Sequence, residues 1–208
     1  MARKRKTVGA QRRSPAQARS VDTVSVIFEA TTRILQAEGR SGLNTNRIAE
    51  VAGVSVGAIY GYFPNKEAIL LAMAQREMDL LRDRVIATLL SPEGSSEPDP
   101  IRRAIKALIK GYGVRGKARR VVMETLFAYG GTEDMARPVS EVGNILAAHG
   151  ANIFPPGLPT PSPMRMFVLT RAVDNVIRLA TYEGAAFLNT PEFEDELVRM
   201  VRGYLAAA

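Results

Sequence analysis

Apolar residues recur at spacings of three and four along most of the chain, which is the period of an amphipathic helix. The first such run covers about residues 20–38 and is carried by Val24, Ile27, Phe28, Thr31, Ile34 and Leu35. Further helices are predicted over about 66–90, 101–112, 117–130, 137–150, 164–187 and 191–206. With two short helices between residues 38 and 66, the total is about nine. No alternating pattern of useful length predicts a strand, so we expect an all-α fold.

Two stretches interrupt the helical period. Residues 91–100 read Ser-Pro-Glu-Gly-Ser-Ser-Glu-Pro-Asp-Pro, which predicts a polar linker between helices. Residues 151–163 hold five prolines, which cannot occupy the interior of a helix, so this stretch is predicted to be a loop.

The two short helices carry the most specific pattern in the chain. Asn44 and Ser55 are good N-cap residues, and Gly53 and Val54 between the helices predict a tight turn. Two short helices joined by a glycine-containing turn form a helix-turn-helix, whose second helix enters the major groove of DNA. The sequence therefore predicts a DNA-reading protein.

The second short helix begins with small residues. Val56 and Ala58 are suited to contact thymine methyl groups, and Gly57 lets the backbone come close to the duplex. Because these residues offer few hydrogen-bond donors, base reading is expected to depend on DNA shape, on the N-terminal arm, or on side chains of the preceding helix. The candidates there are Thr45, Asn46 and Arg47.

Hydroxyl and ammonium groups follow this helix. Tyr60 and Tyr62 supply hydroxyls for phosphate oxygens, and Lys66 stands at the first turn of the next helix, where its ammonium and the helix amides can hold one phosphate. The alternative for each residue is a packing role, with the Tyr60 ring buried in the core.

Charge is concentrated at the amino end. Seven of the 28 Lys and Arg residues lie in residues 1–20, which hold no acid, so the rest of the chain carries as many basic as acidic residues. We expect residues 1–19 to form a flexible basic arm that contacts DNA phosphates or a minor groove, the alternative being a solubilising tail.

Residues 24–72 resemble the TetR family of transcriptional regulators, most strongly from Leu43 to Leu70. The matching segments are Ile48-Ala49-Glu50, Ala52-Gly53-Val54-Ser55, Gly57, Tyr60, Tyr62-Phe63-Pro64 and Lys66-Glu67-Ala68. Gly61 departs from the pattern, since a larger polar or aromatic residue is often found there. The resemblance implies DNA contacts at Thr45, Ser55, Gly57, Ala58, Tyr60, Tyr62 and Lys66.

The resemblance also implies a homodimer. A helix-turn-helix head at residues 20–65 would be joined by the fourth helix to a ligand-binding and dimerisation body at residues 66–208. Candidates for the effector pocket are Met123, Phe127, Tyr129, Met166, Arg171, Asp174 and Tyr182. The alternative is that these are plain core residues, with Arg171 and Asp174 forming an ion pair three positions apart on one helix.

The last two helices have long apolar faces suited to pairing with a second copy. The candidate interface residues are Phe167, Val173, Ile177, Ala180, Leu197, Val201 and Tyr204. The alternative is that these faces are buried within one subunit. We favour the dimer, because reading a two-fold operator needs two heads.

Catalytic and metal chemistry have little support. The chain has no cysteine and one histidine, His149, so no thiolate site, multi-histidine metal site or Ser-His-Asp triad is expected, and no cofactor. No run is long enough to cross a membrane, and the lack of cysteine fits the cytoplasm.

The sequence therefore predicts a repressor, not an enzyme, that binds a palindromic double-stranded operator and is released by a small-molecule effector. The alternatives are an activator or a regulator controlled by a protein partner, both with the same fold, and then a small helical enzyme.

Overall fold

The computed structural model describes residues 15–90, 97–113, 117–129, 132–154 and 161–207. Within these ranges the chain forms nine α-helices and no strand, which confirms the all-α prediction. The helices are α1 (Pro15–Ala37), α2 (Thr45–Ala52), α3 (Val56–Tyr60), α4 (Lys66–Leu90), α5 (Pro100–Tyr112), α6 (Lys117–Tyr129), α7 (Thr132–Ile153), α8 (Pro163–Glu183) and α9 (Pro191–Ala206). The chain divides into two compact units, Met1–Lys66 and Glu67–Ala208.

The first unit has a small core between α1, α2 and α3. The apolar period of α1 buries one face of that helix, and Ile48 on α2 and Ile59 on α3 are fully buried. The rings of Phe28 and Phe63 pack with their centroids 5.9 Å apart. The other buried apolar residues of this unit are Ile27, Ala30, Ile34, Leu35, Leu43 and Ala49.

The caps of α2 and α3 confirm the predicted helix boundaries. Asn44 accepts a hydrogen bond from the Arg47 amide at 2.9 Å, and the Ser55 hydroxyl accepts one from the Ala58 amide at 3.0 Å. Gly53 ends α2 in the left-handed region, with φ 69° and ψ 30°. The Val54 amide then bonds the Ala49 carbonyl at 3.1 Å, which closes the turn as a Schellman motif.

In the second unit, α8 packs against α7, α5 and α9, and α5 packs against α9. Two close approaches depend on glycine. A Cβ at Gly143 on α7 would lie 3.3 Å from the Thr170 hydroxyl on α8. A Cβ at Gly111 on α5 would lie 3.2 Å from Leu81 Cγ on α4, with the Leu81 Cδ1 methyl closer still.

Three helices have boundaries that differ from the prediction. Helix α1 begins at Pro15 inside the predicted arm, since proline is tolerated at the first helical position. Helix α7 begins at Thr132, continues past Pro138 and ends at Ile153, so the predicted loop begins later than residue 151. Helix α8 ends at Glu183 rather than 187, because Gly184 adopts φ 67°. Most of the linker predicted at 91–100 lies outside the described residues.

None of the helices in the described ranges is both long enough and apolar enough to cross a membrane.

Candidate functional site

Helix α3 exposes most of its surface. Ile59 is fully buried and anchors the helix, whereas Ser55, Gly57 and Tyr60 are exposed and Val56 is half-buried. Ala58 is half-buried as well. This five-residue helix is therefore anchored by one fully buried side chain and keeps part of its surface open to solvent, as major-groove reading requires.

Tyr60 is not a core residue. Its side chain is 55% exposed, and its hydroxyl lies 3.4 Å from the Thr45 hydroxyl at the start of α2. Tyr62, 42% exposed, follows α3 on the same segment. The alternative of a buried Tyr60 ring is therefore wrong, and the hydroxyls of Tyr60 and Thr45, both predicted to contact DNA, lie side by side.

Arg47 is held by two carboxylates. Its Nη2 lies 2.9 Å from Glu38 Oε1 at the end of α1, and its Nη1 lies 2.9 Å from Glu50 Oε2 on α2. Hydrogen bonds to Glu50 and then Glu38 raise the pKa of Arg47 above its usual range. In this geometry the guanidinium ties α2 to α1. A contact from Arg47 to a base would require it to leave these partners, whereas Asn46 beside it is exposed.

Lys66 bonds the backbone of its own unit. Its Nζ donates to the Leu43 carbonyl at 3.0 Å, which satisfies the backbone just before α2. An ammonium has three N–H donors, so this bond leaves room for the predicted phosphate contact. The basic arm predicted to assist lies outside the described residues up to residue 14, and the side chains of 15–21 are also outside them.

The second unit contains a cavity of about 100 Å³. Its wall is almost entirely apolar and comes from α4, α5, α7, α8 and α9. The polar side chains in the wall are Arg82, Tyr112, Thr170 and Asp174. The apolar ones include Leu81, Val85, Ile105, Leu108, Val142, Leu146, Leu169 and Val173.

Asp174 and Tyr112 form a buried hydrogen bond at this wall. The Tyr112 hydroxyl donates to Asp174 Oδ1 at 2.6 Å, and Arg178 Nε lies 3.8 Å from Oδ2. Burial raises the pKa of Asp174, although the hydrogen bond from Tyr112 and the charge of Arg178 oppose this. Burial, followed by the charge of Asp174, raises the pKa of Tyr112 well above its usual value, so the phenol stays protonated.

The predicted pocket residues are mostly elsewhere. Of them, Asp174 lines the cavity. Met123 and Met166 are buried away from this wall, Tyr129 and Tyr182 are more than half exposed, and the Phe127 side chain lies outside the described residues.

The predicted ion pair between Arg171 and Asp174 is also wrong among the described side chains. The Arg171 guanidinium instead lies 3.7 Å from the centre of the Phe167 ring and donates to the Ser140 hydroxyl at 2.9 Å.

Helix α8 has two apolar faces, and the face predicted to pair with a second copy is packed inside the subunit. The predicted residues Val173, Ile177, Ala180, Leu197 and Val201 are buried within the subunit, because α8 and α9 pack on the other helices of the body. Phe167 is 56% exposed, and Tyr204 is half-buried beneath Arg165. The opposite face of α8 carries exposed apolar side chains at Met164, Phe167, Val168, Val176, Leu179 and Tyr182, here called the outer face of α8.

Comparison with known proteins agrees with the helix-turn-helix geometry. Residues 27–73 match the family described as bacterial regulatory proteins, tetR family. This part of the chain is therefore a tetR-family segment. The matched residues contain α2, α3 and the turn between them.

Individual proteins of the family resemble larger parts of the chain. The regulator EthR of Mycolicibacterium smegmatis is 29% identical over 58% of this chain and 57% of its own length, so the match spans little more than half of that relative. A TetR family regulator from Marinobacter aquaeolei has a similar structure, with a TM-score of 0.53, 25% identity and coverage of 91% of this chain and 98% of that one. The multidrug binding protein EbrR is similar in fold, with a TM-score of 0.56, 18% identity and coverage of 88% and 94%.

Of the residues that line the cavity, the sequence prediction included Asp174 and missed the others, among them Tyr112 and Leu81. The available signal was the pair of glycines around Tyr112, since Gly111 marks a close approach of α5 to α4.

Proposed function

We propose that this tetR-family regulator is a cytoplasmic repressor that binds a two-fold DNA operator as a homodimer and is released when a small molecule enters the cavity of the body. The observation that carries the proposal is α3, a short capped helix that buries Ile59, leaves Val56 and Ala58 half-buried and exposes Gly57 and Tyr60. The proposed role is regulatory and not catalytic.

The proposed DNA surface joins α3 to the start of α2. The Thr45 and Tyr60 hydroxyls, 3.4 Å apart, are placed to bond one or two phosphates, while Ser55, Gly57 and Ala58 approach the bases. Further contacts are proposed from Asn46, Val56, Tyr62 and Lys66. Arg47 is proposed to act by holding α2 in place, through Glu38 and Glu50.

The proposed dimer uses the outer face of α8. Large apolar side chains that are 40–74% exposed on one side of a helix are typical of an interface between subunits. Because a two-fold axis repeats the same patch on both copies, this face would pair with itself.

The proposed effector site is the cavity lined by α4, α5, α7, α8 and α9. An apolar wall with a few polar groups is the usual form of a small-molecule site. EbrR, which shares the fold, is a multidrug binding protein, and this supports a ligand-binding role for a chain of this fold. The ligand would bind one conformer of the dimer more tightly than the conformer that fits the operator.

The test is fluorescence anisotropy with duplexes from the DNA that flanks the gene. We expect binding to one palindromic segment, with an affinity that falls steeply as salt rises. Tyr60→Phe keeps the ring and removes a hydroxyl, so it should weaken binding on the order of tenfold, as loss of a hydrogen bond to a charged group does. Tyr129→Phe, at a tyrosine of similar exposure in α6, is the control. Equal binding by both variants would contradict the proposed surface.

A further inference from the structure

The hydrogen-bond donors of the cavity wall already have partners, and its acceptors have capacity left. The Tyr112 hydroxyl donates to Asp174, and the Thr170 hydroxyl donates to the Met166 carbonyl at 2.7 Å within α8. Each group therefore uses its only O–H donor inside the protein. A ligand that enters the cavity meets acceptors in these two places.

The guanidinium of Arg82, also in the cavity wall, has partners inside the protein as well. Its Nη1 lies 2.8 Å from both Asp79 Oδ1 and Glu141 Oε2, and its Nη2 lies 2.8 Å from Asp83 Oδ1. Burial acts to lower the pKa of Arg82, but the hydrogen bond to Asp83 and the three negative charges outweigh it and raise that pKa. An anionic group approaching this guanidinium would meet three carboxylates, and their repulsion opposes its binding.

Asp174 is the acceptor with the most capacity. A carboxylate has about four lone-pair sites, and Tyr112 occupies one of them at Oδ1. Arg178 Nε lies 3.8 Å from Oδ2, which is beyond hydrogen-bonding distance. Burial disfavours the ionised carboxyl and raises its pKa, so a cation that bonds it would relieve a cost already present in the fold.

We propose that the effector is an amphiphile with an apolar body and a cationic, N–H-donating head, and that Asp174 binds the head while the apolar wall holds the body. This inference rests on the proposed function, because it names the chemistry of the ligand for that cavity. Both anionic amphiphiles and purely apolar molecules are disfavoured, since neither can donate to Asp174.

The test uses three probes of equal chain length: octylammonium, octanol and octanoate. Calorimetric titration of the full-length chain should rank octylammonium first, on the order of tenfold tighter than octanol, with octanoate weakest, because a hydrogen bond between charged groups is among the strong ones. Asp174→Asn should remove this advantage of octylammonium and leave octanol unchanged. A tighter fit for octanoate or octanol would overturn the inference.

Two further variants keep the test decisive if Asp174→Asn fails to fold. Tyr112→Phe removes the donor that competes for Asp174, so octylammonium should bind as well as before or better; a lost preference would overturn the inference. Leu108→Trp fills the cavity and should weaken all three probes together. If octylammonium still binds to Leu108→Trp, it binds outside the cavity, and this result would also overturn the inference.

The outcome for the proposed function is read separately, by anisotropy with operator DNA. Octylammonium that binds with the expected preference but leaves DNA binding intact would support the ligand chemistry and contradict ligand-controlled release. If octanol or octanoate binds best and releases DNA, the result would contradict the ligand chemistry and support ligand-controlled release.

Discussion

Gly111→Ala tests the close approach of α4 and α5 beside the cavity. The new Cβ would lie 3.2 Å from Leu81 Cγ and 3.3 Å from Cδ2, with Cδ1 closer still. Carbon atoms pack best at about 3.5–4.0 Å, so the Leu81 side chain must move. Leu81 lines the cavity and can move into it. The variant should therefore fold, with a smaller cavity and weaker binding of any cavity ligand.

The expected cost can be isolated with a second glycine. Gly203 lies near the end of α9, and a Cβ there meets nothing within 4 Å. Both substitutions gain up to about 1 kcal/mol of helix propensity, but Gly111→Ala also crowds the core, which costs about 1–3 kcal/mol. The difference between the two free energies of unfolding should therefore be about 1–3 kcal/mol.

Urea denaturation at one fixed protein concentration measures this difference, since the proposed dimer would make stability depend on concentration. Equal free energies of unfolding for the two variants would refute the close approach of Gly111 to Leu81. Complete unfolding of Gly111→Ala would show that Leu81 has no space to enter, and the cavity argument would fail with it.

Other expectations concern the turn, the interface and the buried acid. Gly53→Ala should lower the free energy of unfolding of the first unit by about 1–2 kcal/mol, measured by thermal denaturation, because φ at this residue is 69°; no change would mean that the turn is built differently. Leu179→Glu on the outer face of α8 should yield a monomer by light scattering, whereas Leu80→Glu, of equal exposure on α4, should not. Asp174→Asn should gain stability relative to the native chain as pH rises above the ordinary aspartate pKa. At such pH values the raised pKa keeps a proton on Asp174 of the folded chain, whereas the unfolded chain has released it. The free energy of unfolding of the native chain therefore falls as pH rises, and that of the variant does not. Urea midpoints from acid to neutral pH measure this, and a relative gain by the native chain would contradict the sign.

Local chemistry made the helix-turn-helix predictable. Asn44, Gly53 and Ser55 act on backbone groups only a few residues away, so their identities and spacing determine the caps and the turn that the structure contains. The start of α3 is likewise set by Ser55, whose hydroxyl accepts the Ala58 amide. Such features require no knowledge of which helices meet.

The cavity depends on contacts that are distant in sequence. Tyr112 and Asp174 are sixty-two positions apart, and only the packing of α5 on α8 brings them within 2.6 Å. Helix α8 is apolar on two faces, so periodicity alone does not say which face packs inside the subunit. The helices that pack on α8 determine which face is buried. Val173 and Ile177, predicted at the dimer interface, are therefore buried inside the subunit instead.

The dependence of α3 on Ile59 has a consequence for how new operators can be recognised. A five-residue helix is too short to persist by itself, and one isoleucine with one serine cap secures it. Substitutions at the outward positions of such a segment cost little folding free energy, about 0.5 kcal/mol or less. Changes in DNA preference can therefore accumulate there while the scaffold that displays them is left intact.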